Sequence, residues 1–289
     1  LMEYVVRILM SPKGLATSYQ LPATEPGMSN PVKMKLKRSQ PSFGSWIASA
    51  HVSVAEILAG AGFEWIAIDM EHSNITLAEL PALFAAIENG GAAPLVRLPE
   101  NDPSLARRVM DTGARGVIVP MVNTRKDAER VVEAVKYSPE GKRSVGIARA
   151  HGYGRSFKEH VKRSNDDVLV VVQIEHIEAV KNVESIFSVP GVDAYLIGPY
   201  DMSGSLGIPG QLNHPKVEEA KAKVLTAGKA KRIVPGIHLV HPTEAQVEEA
   251  LRLGYRFIAL SSDILLLKDS SDAVYHMAKK ALAKNRRRS

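Results

Sequence analysis

The sequence contains no cysteine, and this absence narrows the chemistry open to the protein. Disulfide bonds, thiolate metal sites and a cysteine nucleophile are all excluded, so metal ligands must be oxygen or nitrogen donors. Long apolar runs are also missing near the start, where the run over residues 4–10 is short and is interrupted by Arg7. Such a run cannot cross a bilayer and makes a poor signal peptide. We therefore expect a cytoplasmic protein with no membrane partner.

A basic stripe with interleaved aromatic residues, the usual surface for nucleic acid, is missing as well. The 289 residues carry a net charge of +6, but ten cations lie near the two ends. Without those ten the net charge becomes −4, so we expect a mildly acidic body, solvated ends and no nucleic-acid partner. The ten are Lys33, Lys35, Lys37, Arg38, Lys279, Lys280, Lys284, Arg286, Arg287 and Arg288.

The sequence does contain a regular alternation of apolar strand-like segments and segments with helical spacing. Eight such units favour an α/β fold that closes into a (β/α)8 barrel over an open doubly wound sheet. No glycine-rich phosphate loop follows any strand, which disfavours nucleotide binding. We expect a loosely ordered leader over 1–40, one catalytic barrel domain over 41–284 and a basic tail over 285–289. The predicted strands span 43–48, 65–69, 94–98, 116–120, 168–174, 193–198, 234–238 and 256–260.

Carboxylates follow two neighbouring predicted strands directly. Glu175 comes after the fifth strand, and Asp201 follows the sixth, just beyond Gly198 and Pro199. Carboxyl ends of parallel strands meet at one rim, and two carboxylates without cysteine suit Mg²⁺ or Mn²⁺ completed by water and substrate oxygens. The glycine and proline allow close backbone approach and expose amide groups to an anion. Singly, either acid is equally well explained as a solvated loop residue or a helix cap.

Three further charged residues lie at or near this rim. Arg97 ends the third strand, where its guanidinium matches carboxylate or enolate oxygens; the alternative is a structural ion pair with Asp69 or Glu71. His72 follows those two acids and can move protons near neutral pH, although a lone histidine is usually solvated. Asp111, on the helix after Arg97, either orients an imidazole or caps a turn.

These residues stand in motifs that resemble the HpcH/HpaI family of class II, metal-dependent 2-oxo-acid aldolases. The resemblance covers about residues 43–268, and the motifs follow the family's order. They are AGAGFEW over 59–65, DMEH over 69–72, VR over 96–97, NDP over 101–103, VPM over 119–121, QIE over 173–175 and IGPYDMS over 197–203.

The resemblance implies a barrel of the phosphoenolpyruvate/pyruvate-binding type in a homo-oligomer, with the last helix exchanged between subunits in a dimer-based assembly, commonly a hexamer. It implies a divalent ion, Mg²⁺, Mn²⁺ or Co²⁺, on Glu175 and Asp201. It further implies that Arg97 faces an enolate oxygen and that His72, supported by Asp111, moves the proton. Asp69 and Glu71 would support this site. The implied substrate-binding residues are Arg97, Gln173, Gly198, Pro199, Tyr200 and Asp201.

The chain departs from the family pattern between the fourth and fifth strands, over residues 146–155. His151, Tyr153 and Arg155 in this loop are candidates for the aldehyde pocket, and a surface loop without a ligand is the alternative. His238, after the seventh strand, is a further candidate for that pocket, against a role in entry to the next helix.

The leading hypothesis is an aldehyde-lyase that reversibly splits a 4-hydroxy-2-oxo acid, such as a 2-keto-3-deoxy sugar acid, into pyruvate and an aldehyde. Oxaloacetate decarboxylation is an expected side activity. No predicted strand contains or ends on lysine, which disfavours a Schiff-base aldolase. The alternatives are a citramalyl- or malyl-CoA type lyase and a non-catalytic barrel that binds an oxo acid.

Overall fold

The computed structural model describes residues 30–286, and their eight parallel strands close into a barrel in which each strand pairs with the next along the chain. The strand β8 closes the barrel on β1. The predicted (β/α)8 barrel is thereby confirmed, with strand ends within two residues of those expected. The strands are β1 Ser42–Ile47, β2 Trp65–Asp69, β3 Ala93–Arg97, β4 Gly116–Val119, β5 Leu169–Ile174, β6 Ala194–Ile197, β7 Val234–Leu239 and β8 Phe257–Ser262.

Helices return the chain from the carboxyl ends of the strands, the rim, to the opposite, N-terminal face of the barrel. A helix between two strands therefore begins near the rim and ends near the N-terminal face. The helices are α1 Pro31–Lys37, α2 Val52–Gly60, α3 Leu80–Asn89, α4 Pro103–Thr112, α5 Arg125–Val135, α6 Phe157–Asp167, α7 Ile177–Ile186, α8 Pro199–Ser205, α9 Pro215–Lys231, α10 Glu244–Arg252 and α11 Asp263–Arg286.

Alternate strand residues supply two buried apolar layers. In β2, Ile66 and Ile68 pack outward with helix residues, whereas Trp65 and Ala67 face the barrel interior. This follows from the two-residue period of a strand, which sends neighbouring side chains to opposite faces. Inside the barrel, Trp65 stacks on Phe257 with ring centroids 4.2 Å apart. The near-continuous apolar strands are therefore explained by burial on both faces.

Helix α1 closes the N-terminal face of the barrel. Its Val32 and Leu36 belong to the same buried cluster as Trp65 and the other interior residues. Asn30 caps the helix, accepting from the backbone of Val32 and Lys33, and its side-chain amide donates to main-chain oxygens of two other segments. The expected loose leader over 1–40 is thus wrong from residue 30 onward, because this amphipathic segment fills the open end of the barrel. Residues 1–29 lie outside the described residues.

Two of the cations expected to be solvated are engaged in the fold. Lys33 is buried, and its Nζ donates to the main-chain oxygen of Val168 at 2.6 Å and to Asp193 at 2.9 Å. Burial lowers the pKa of Lys33, and the ion pair with Asp193 opposes this shift. Lys35 pairs with Glu64 at 2.6 Å, nearer the surface. Charge counting alone missed these pairs because each acid lies far from its partner in sequence.

The last helix, α11, runs away from the barrel, and Asp263 is its one buried residue among those described. The Asp263 carboxylate accepts from the backbone of Ala48 and Ser49, which ties the end of β8 to the end of β1. The helix continues to Arg286, so the tail expected from 285 begins later; residues 287–289 lie outside the described part. Across residues 30–286, no helix has the length and apolar content to cross a membrane.

Replacing Lys33 tests the closure by α1. Lys33→Met keeps the aliphatic stem but leaves Asp193 without its cation, so we expect the free energy of unfolding to fall by about 2–3 kcal/mol. Lys35→Met is the matched control on the same helix, and loss of its partly exposed pair should cost about 0.5 kcal/mol. Urea denaturation of both variants measures the difference. Equal losses would show that the Lys33 pair does not anchor α1.

Candidate active site

An ion pair across two neighbouring strands forms the base of the site. Asp69 and Arg97 are register partners at the ends of β2 and β3, so the sheet itself places them side by side. Arg97 Nε and Nη2 donate to the two oxygens of Asp69 at 2.9 and 2.6 Å. Burial alone would raise the pKa of Asp69, but the bonds and charge of Arg97 hold it below its usual value. The ion pair considered from the sequence is therefore present, and it fixes the guanidinium at the rim.

Trp46, near the end of β1, supports the same guanidinium from one side. The Arg97 guanidinium carbon lies 4.7 Å from the Trp46 ring centroid, within range of a cation–π contact. The sequence interpretation missed Trp46. Its position one residue before a strand end was the available signal, because such positions face either the rim or the interior.

Glu71 is a carboxylate of strongly perturbed acidity at the rim. Burial raises the pKa of Glu71 to about 7; Arg97 opposes the rise, and the charges of Glu175, Asp69 and Asp201 add to it. Arg97 Nη1 lies 3.1 Å from Glu71 Oε2, but this oxygen has no hydrogen-bond partner of acceptable geometry. The two groups are close enough to attract each other as charges, but they are not aligned for a hydrogen bond. The contact is thus an ion pair that can be exchanged for another partner.

Glu175, directly after β5, is buried and held by two donors. Its Oε1 accepts from the Met121 backbone N–H at 2.7 Å, and its Oε2 accepts from Gln173 Nε2 at 2.6 Å. Burial raises the pKa of Glu175, those two bonds lower it, and the charge of Asp201 raises it further. Gln173 therefore orients Glu175. Met121, a second residue whose role the sequence interpretation missed, turns through a left-handed backbone (φ 52°) where its N–H meets the carboxylate.

Gly198 provides the space that Glu175 occupies. A Cβ on Gly198 would lie 2.7 Å from both Cβ and Oε2 of Glu175, closer than real side chains approach. Pro199 then begins α8, and the exposed Asp201 stands in its first turn. The register of β5 and β6 pairs Ile174 with Ile197, so the residues that follow each strand emerge together.

The rim carries more negative than positive charge. Around a single guanidinium, that of Arg97, three other carboxylates raise the pKa of Glu71, and one of these, Asp201, also raises the pKa of Glu175. Such an excess favours a bound cation, and carboxylate oxygens are the donors that hard divalent ions prefer. No group of three or more metal-ligating side chains occurs within residues 30–286. The buried Glu175 and the exposed Asp201 offer two carboxylates, and an ion on these two would take its remaining ligands from other oxygens. The four carboxylates of the rim are Asp69, Glu71, Glu175 and Asp201.

His72 lies at the rim, but Asp111 of the same chain does not join it. The His72 side chain is 64% exposed, and its Nε2 is 3.9 Å from Glu71 Oε2. Asp111 stands near the far end of the ten-residue α4, roughly 12 Å along the helix from its start. There its carboxylate accepts from Arg143 at 2.6 Å. The expected support of His72 by Asp111 is therefore wrong within one chain, because α4 carries Asp111 away from the rim.

The loop over 146–155 packs on the outside of its own barrel, beside α3 and α4. It follows α5, which has already returned the chain to the N-terminal face, and Arg149 in the loop donates to the Thr112 main-chain oxygen at the end of α4. His151 is buried and accepts from Gly154 N–H, so it organises the loop. Tyr153 and Arg155 are exposed on the same loop. Their expected place in the aldehyde pocket stays a prediction.

His238, by contrast, reaches the interior below the rim. Its Nε2 lies 3.1 Å from the Ser261 main-chain oxygen, and its ring is 5.7 Å from that of Trp46. Burial lowers the pKa of His238 to about 4, so the imidazole is neutral at pH 7. The structure thus brings His238 beside Trp46 and Arg97, where it supports the wall of the site.

Comparison with known proteins agrees with this geometry. The HpcH/HpaI aldolase/citrate lyase family matches residues 42–270. A 2-keto-3-deoxy-L-rhamnonate aldolase of Klebsiella pneumoniae is 37% identical over 251 residues, covering 85% of this chain and 91% of that protein. A 2-dehydro-3,6-dideoxy-6-sulfogluconate aldolase of Pseudomonas putida is 38% identical over 238 residues, covering 82% and 92%. The crystal structure of a family member from Burkholderia cenocepacia superposes with a TM-score of 0.82 at 34% identity, covering 87% of this chain and all of that one.

The curated relatives are aldolases, which are carbon–carbon lyases. The chain belongs to the HpcH/HpaI aldolase/citrate lyase family. The family and the enzyme class predicted from the sequence, an aldehyde-lyase, are confirmed.

Enlarging Gly198 should displace the Glu175 carboxylate. Gly198→Ala introduces a methyl group into space that Glu175 fills, so we expect Mn²⁺ affinity to fall by about tenfold or more. Gly204→Ala is the matched control, because a Cβ there meets nothing within 4 Å in the same helix, α8. Calorimetric titration with Mn²⁺ measures both. Unchanged affinity in Gly198→Ala would mean that Glu175 is not a ligand.

Proposed function

We propose that this aldolase reversibly cleaves a 4-hydroxy-2-oxo acid of the 2-keto-3-deoxy sugar acid class into pyruvate and an aldehyde. The observation that carries the proposal is the buried Glu175 beside Asp201 at a rim that has one anchored guanidinium, Arg97. The relatives named as keto-deoxy acid aldolases support the substrate class.

Glu175 and Asp201 would hold a divalent ion, Mg²⁺, Mn²⁺ or Co²⁺, which supplies the positive charge that polarises a keto group. Glu175 suits this role because Met121 and Gln173 fix both of its oxygens in place. Its burial disfavours a lone negative charge, so a nearby cation relieves an existing cost. Asp201 is exposed and is open to ligands that enter from the mouth of the barrel.

Arg97 would stabilise the enolate oxygen that develops when the carbon–carbon bond breaks. Its Nε and Nη2 stay with Asp69, while Nη1 exchanges its loose contact with Glu71 for the substrate. A guanidinium already held in place needs little reorganisation as charge develops, which is the main source of electrostatic catalysis. Trp46 and His238 keep its surroundings rigid.

The carboxylate of the pyruvyl half would bind at the start of α8. Backbone N–H groups in the first turn of a helix have no partner within the helix, and those of Tyr200 and Asp201 are in this position. Gly198 and Pro199 bring this backbone close to Glu175. One substrate can thus place its carboxylate on these N–H groups while its keto oxygen lies near Glu175.

His72 would accept the proton from the substrate 4-hydroxyl group, directly or through water. The bond between the third and fourth carbons then breaks; its electron pair passes to the enolate oxygen, and the hydroxyl carbon becomes the aldehyde. A proton returned to the third carbon completes pyruvate. Exposure of the imidazole gives it access to solvent for this exchange. Asp111 of the same chain has no part in the path.

Oxaloacetate decarboxylation is proposed as a side activity, since it forms the same enolate without a hydroxyl proton to remove. A CoA-dependent lyase is less well supported, because a rim with excess carboxylate disfavours the phosphates of CoA. A non-catalytic barrel would require loss of a key group, and Arg97, Glu175, Asp201 and His72 are all present. The cytoplasmic location and the lack of a nucleic-acid partner stay predictions.

We also propose that the protein is a homo-oligomer in which α11 packs on another subunit. Apolar side chains of this helix remain exposed in the single chain, which would cost free energy in water. Light scattering after size exclusion should therefore give a dimer or a dimer-based hexamer. A monomer at micromolar concentration would contradict the proposal. The exposed side chains include Ile264, Leu267, Val274, Tyr275, Met277 and Leu282.

Metal removal tests the chemistry. We expect EDTA treatment to lower pyruvate release from a panel of 2-keto-3-deoxy sugar acids by about a hundredfold or more, because the charge that stabilises the enolate is lost. Mn²⁺ or Co²⁺ should restore the rate. The rate of pyruvate release is measured with lactate dehydrogenase as the coupling enzyme. Full activity after chelation, with metal content verified, would rule out the metal mechanism.

Assays of aldol cleavage and of oxaloacetate decarboxylation together test whether His72 transfers the hydroxyl proton. His72→Ala should slow aldol cleavage by about a hundredfold but change oxaloacetate decarboxylation by less than about threefold. His214→Ala, at the cap of α9, is the control for loss of an imidazole outside the site. Equal losses of both activities would remove His72 from the proton path.

A further inference from the structure

A large cavity lies at the N-terminal face, at the opposite end of the barrel from the rim. Its volume is about 990 Å³, within the range of small-molecule sites. Its walls come from α1, the C-terminal ends of α9 and α10, and the starts of β7 and β8. The six residues of β8 separate it from the rim by roughly 20 Å.

The lining of this cavity, which we call the basal cavity, is strongly cationic. Six of its side chains carry positive charge, and Asp193 is the one lining carboxylate. The cationic residues belong to separate segments of the chain and meet here only in the folded barrel. They are Lys33, Lys37, Lys229, Arg232, Arg252 and Arg256.

Four of these cations lack an anionic partner. Lys33 pairs with Asp193, and Arg252 pairs with Glu249. No described residue places a carboxylate within ion-pair distance of the other four. Arg256 donates from Nε and Nη1 to main-chain oxygens. These oxygens carry no full negative charge, so the positive charge of Arg256 stays uncompensated.

Helix ends explain only part of this charge. The C-terminal ends of α1, α9 and α10 meet the cavity, and each carries roughly half a negative charge that favours a nearby cation. Three such ends offset about 1.5 of the four uncompensated positive charges, so a surplus of more than two remains. The basal cavity is therefore positive beyond what helix capping requires.

The backbone of Arg232 gives a second observation. Arg232 follows α9 in the left-handed conformation, with φ 59° and ψ 32°. Glycine is favoured at this position because a side chain there costs about 1 kcal/mol. The chain carries a cation at a site where local geometry favours no side chain at all. Such retained strain is characteristic of functional sites.

Apolar side chains form the rest of the wall, including Leu36, Leu225, Ile233 and Leu253. A bare inorganic ion would leave this surface uncovered, whereas an organic group would bury it. We propose that the basal cavity binds a small organic phosphate with several negative charges. Sugar bisphosphates and nucleotides share this chemistry. Side-chain cations supply the binding, so the glycine-rich loops absent from the sequence are not needed.

Calorimetric titration of the full chain with fructose 1,6-bisphosphate, ATP and inorganic pyrophosphate tests the proposal at physiological ionic strength. We expect saturable binding of at least one organic phosphate, about tenfold tighter than pyrophosphate. The organic phosphate that binds more tightly distinguishes a sugar phosphate from a nucleotide. Binding should persist in Glu175→Ala, because the rim is separate.

Arg232→Gly is the decisive variant. It removes one cation and relieves the left-handed strain, so we expect affinity to fall by about tenfold or more while the melting temperature does not fall. Lys229→Met should weaken binding in the same way if Arg232→Gly is poorly folded. Lys223→Ala, an exposed lysine of α9 outside the cavity, is the matched control and should bind as the parent does.

Three results would overturn the proposal. The first is no binding of any of the three phosphates. The second is equal weakening by Lys223→Ala and Arg232→Gly, which would indicate attraction to the whole surface. The third is loss of binding in Glu175→Ala or in the presence of saturating pyruvate, which would place the ligand at the rim.

Discussion

Closure of eight parallel strands is the constraint on which the site depends. Because all strands point the same way, the residue after each one emerges at the same rim. Register then decides which side chains meet: Asp69 stands opposite Arg97, and Glu175 emerges beside Gly198. Reactive groups that lie more than a hundred residues apart in sequence become neighbours without any dedicated loop.

The two faces of the barrel have opposite electrostatic character. The rim gathers four carboxylates around one guanidinium, and burial makes this arrangement costly for lone charges. The N-terminal face gathers cations around a single lining carboxylate. The net charge of the chain reveals neither face, because it averages over features that lie at opposite ends of the barrel.

The parts of this structure that sequence could predict are those that depend on local periodicity. Continuous apolar runs marked the strands, and the first charged residue after a run marked Glu175, Asp69 and Arg97 at the rim. Trp46 and Met121 escaped notice because their contributions are a ring face and a backbone N–H, which residue type does not reveal.

Other residues were predicted in the wrong place because the sequence does not show how far a helix carries the chain from the rim. Asp111 lies close to Arg97 in sequence, yet α4 carries it away from the rim, and the loop with His151 packs beside the end of α4. Helix α1 was hidden in a segment rich in proline and glycine, where its short apolar face gave no sustained period. The basal cavity draws on several separate segments, so no window of sequence contains it.

The contacts of α1 also bear on the order in which the chain acquires its structure. Asn30 and Lys33 bind partners at Arg115, Asp167, Val168 and Asp193, up to 160 residues later. During synthesis, these polar partners of the early helix are complete only once residue 193, just before the sixth strand, has left the ribosome. The segment translated first among those described therefore depends on contacts with parts of the chain that are made much later.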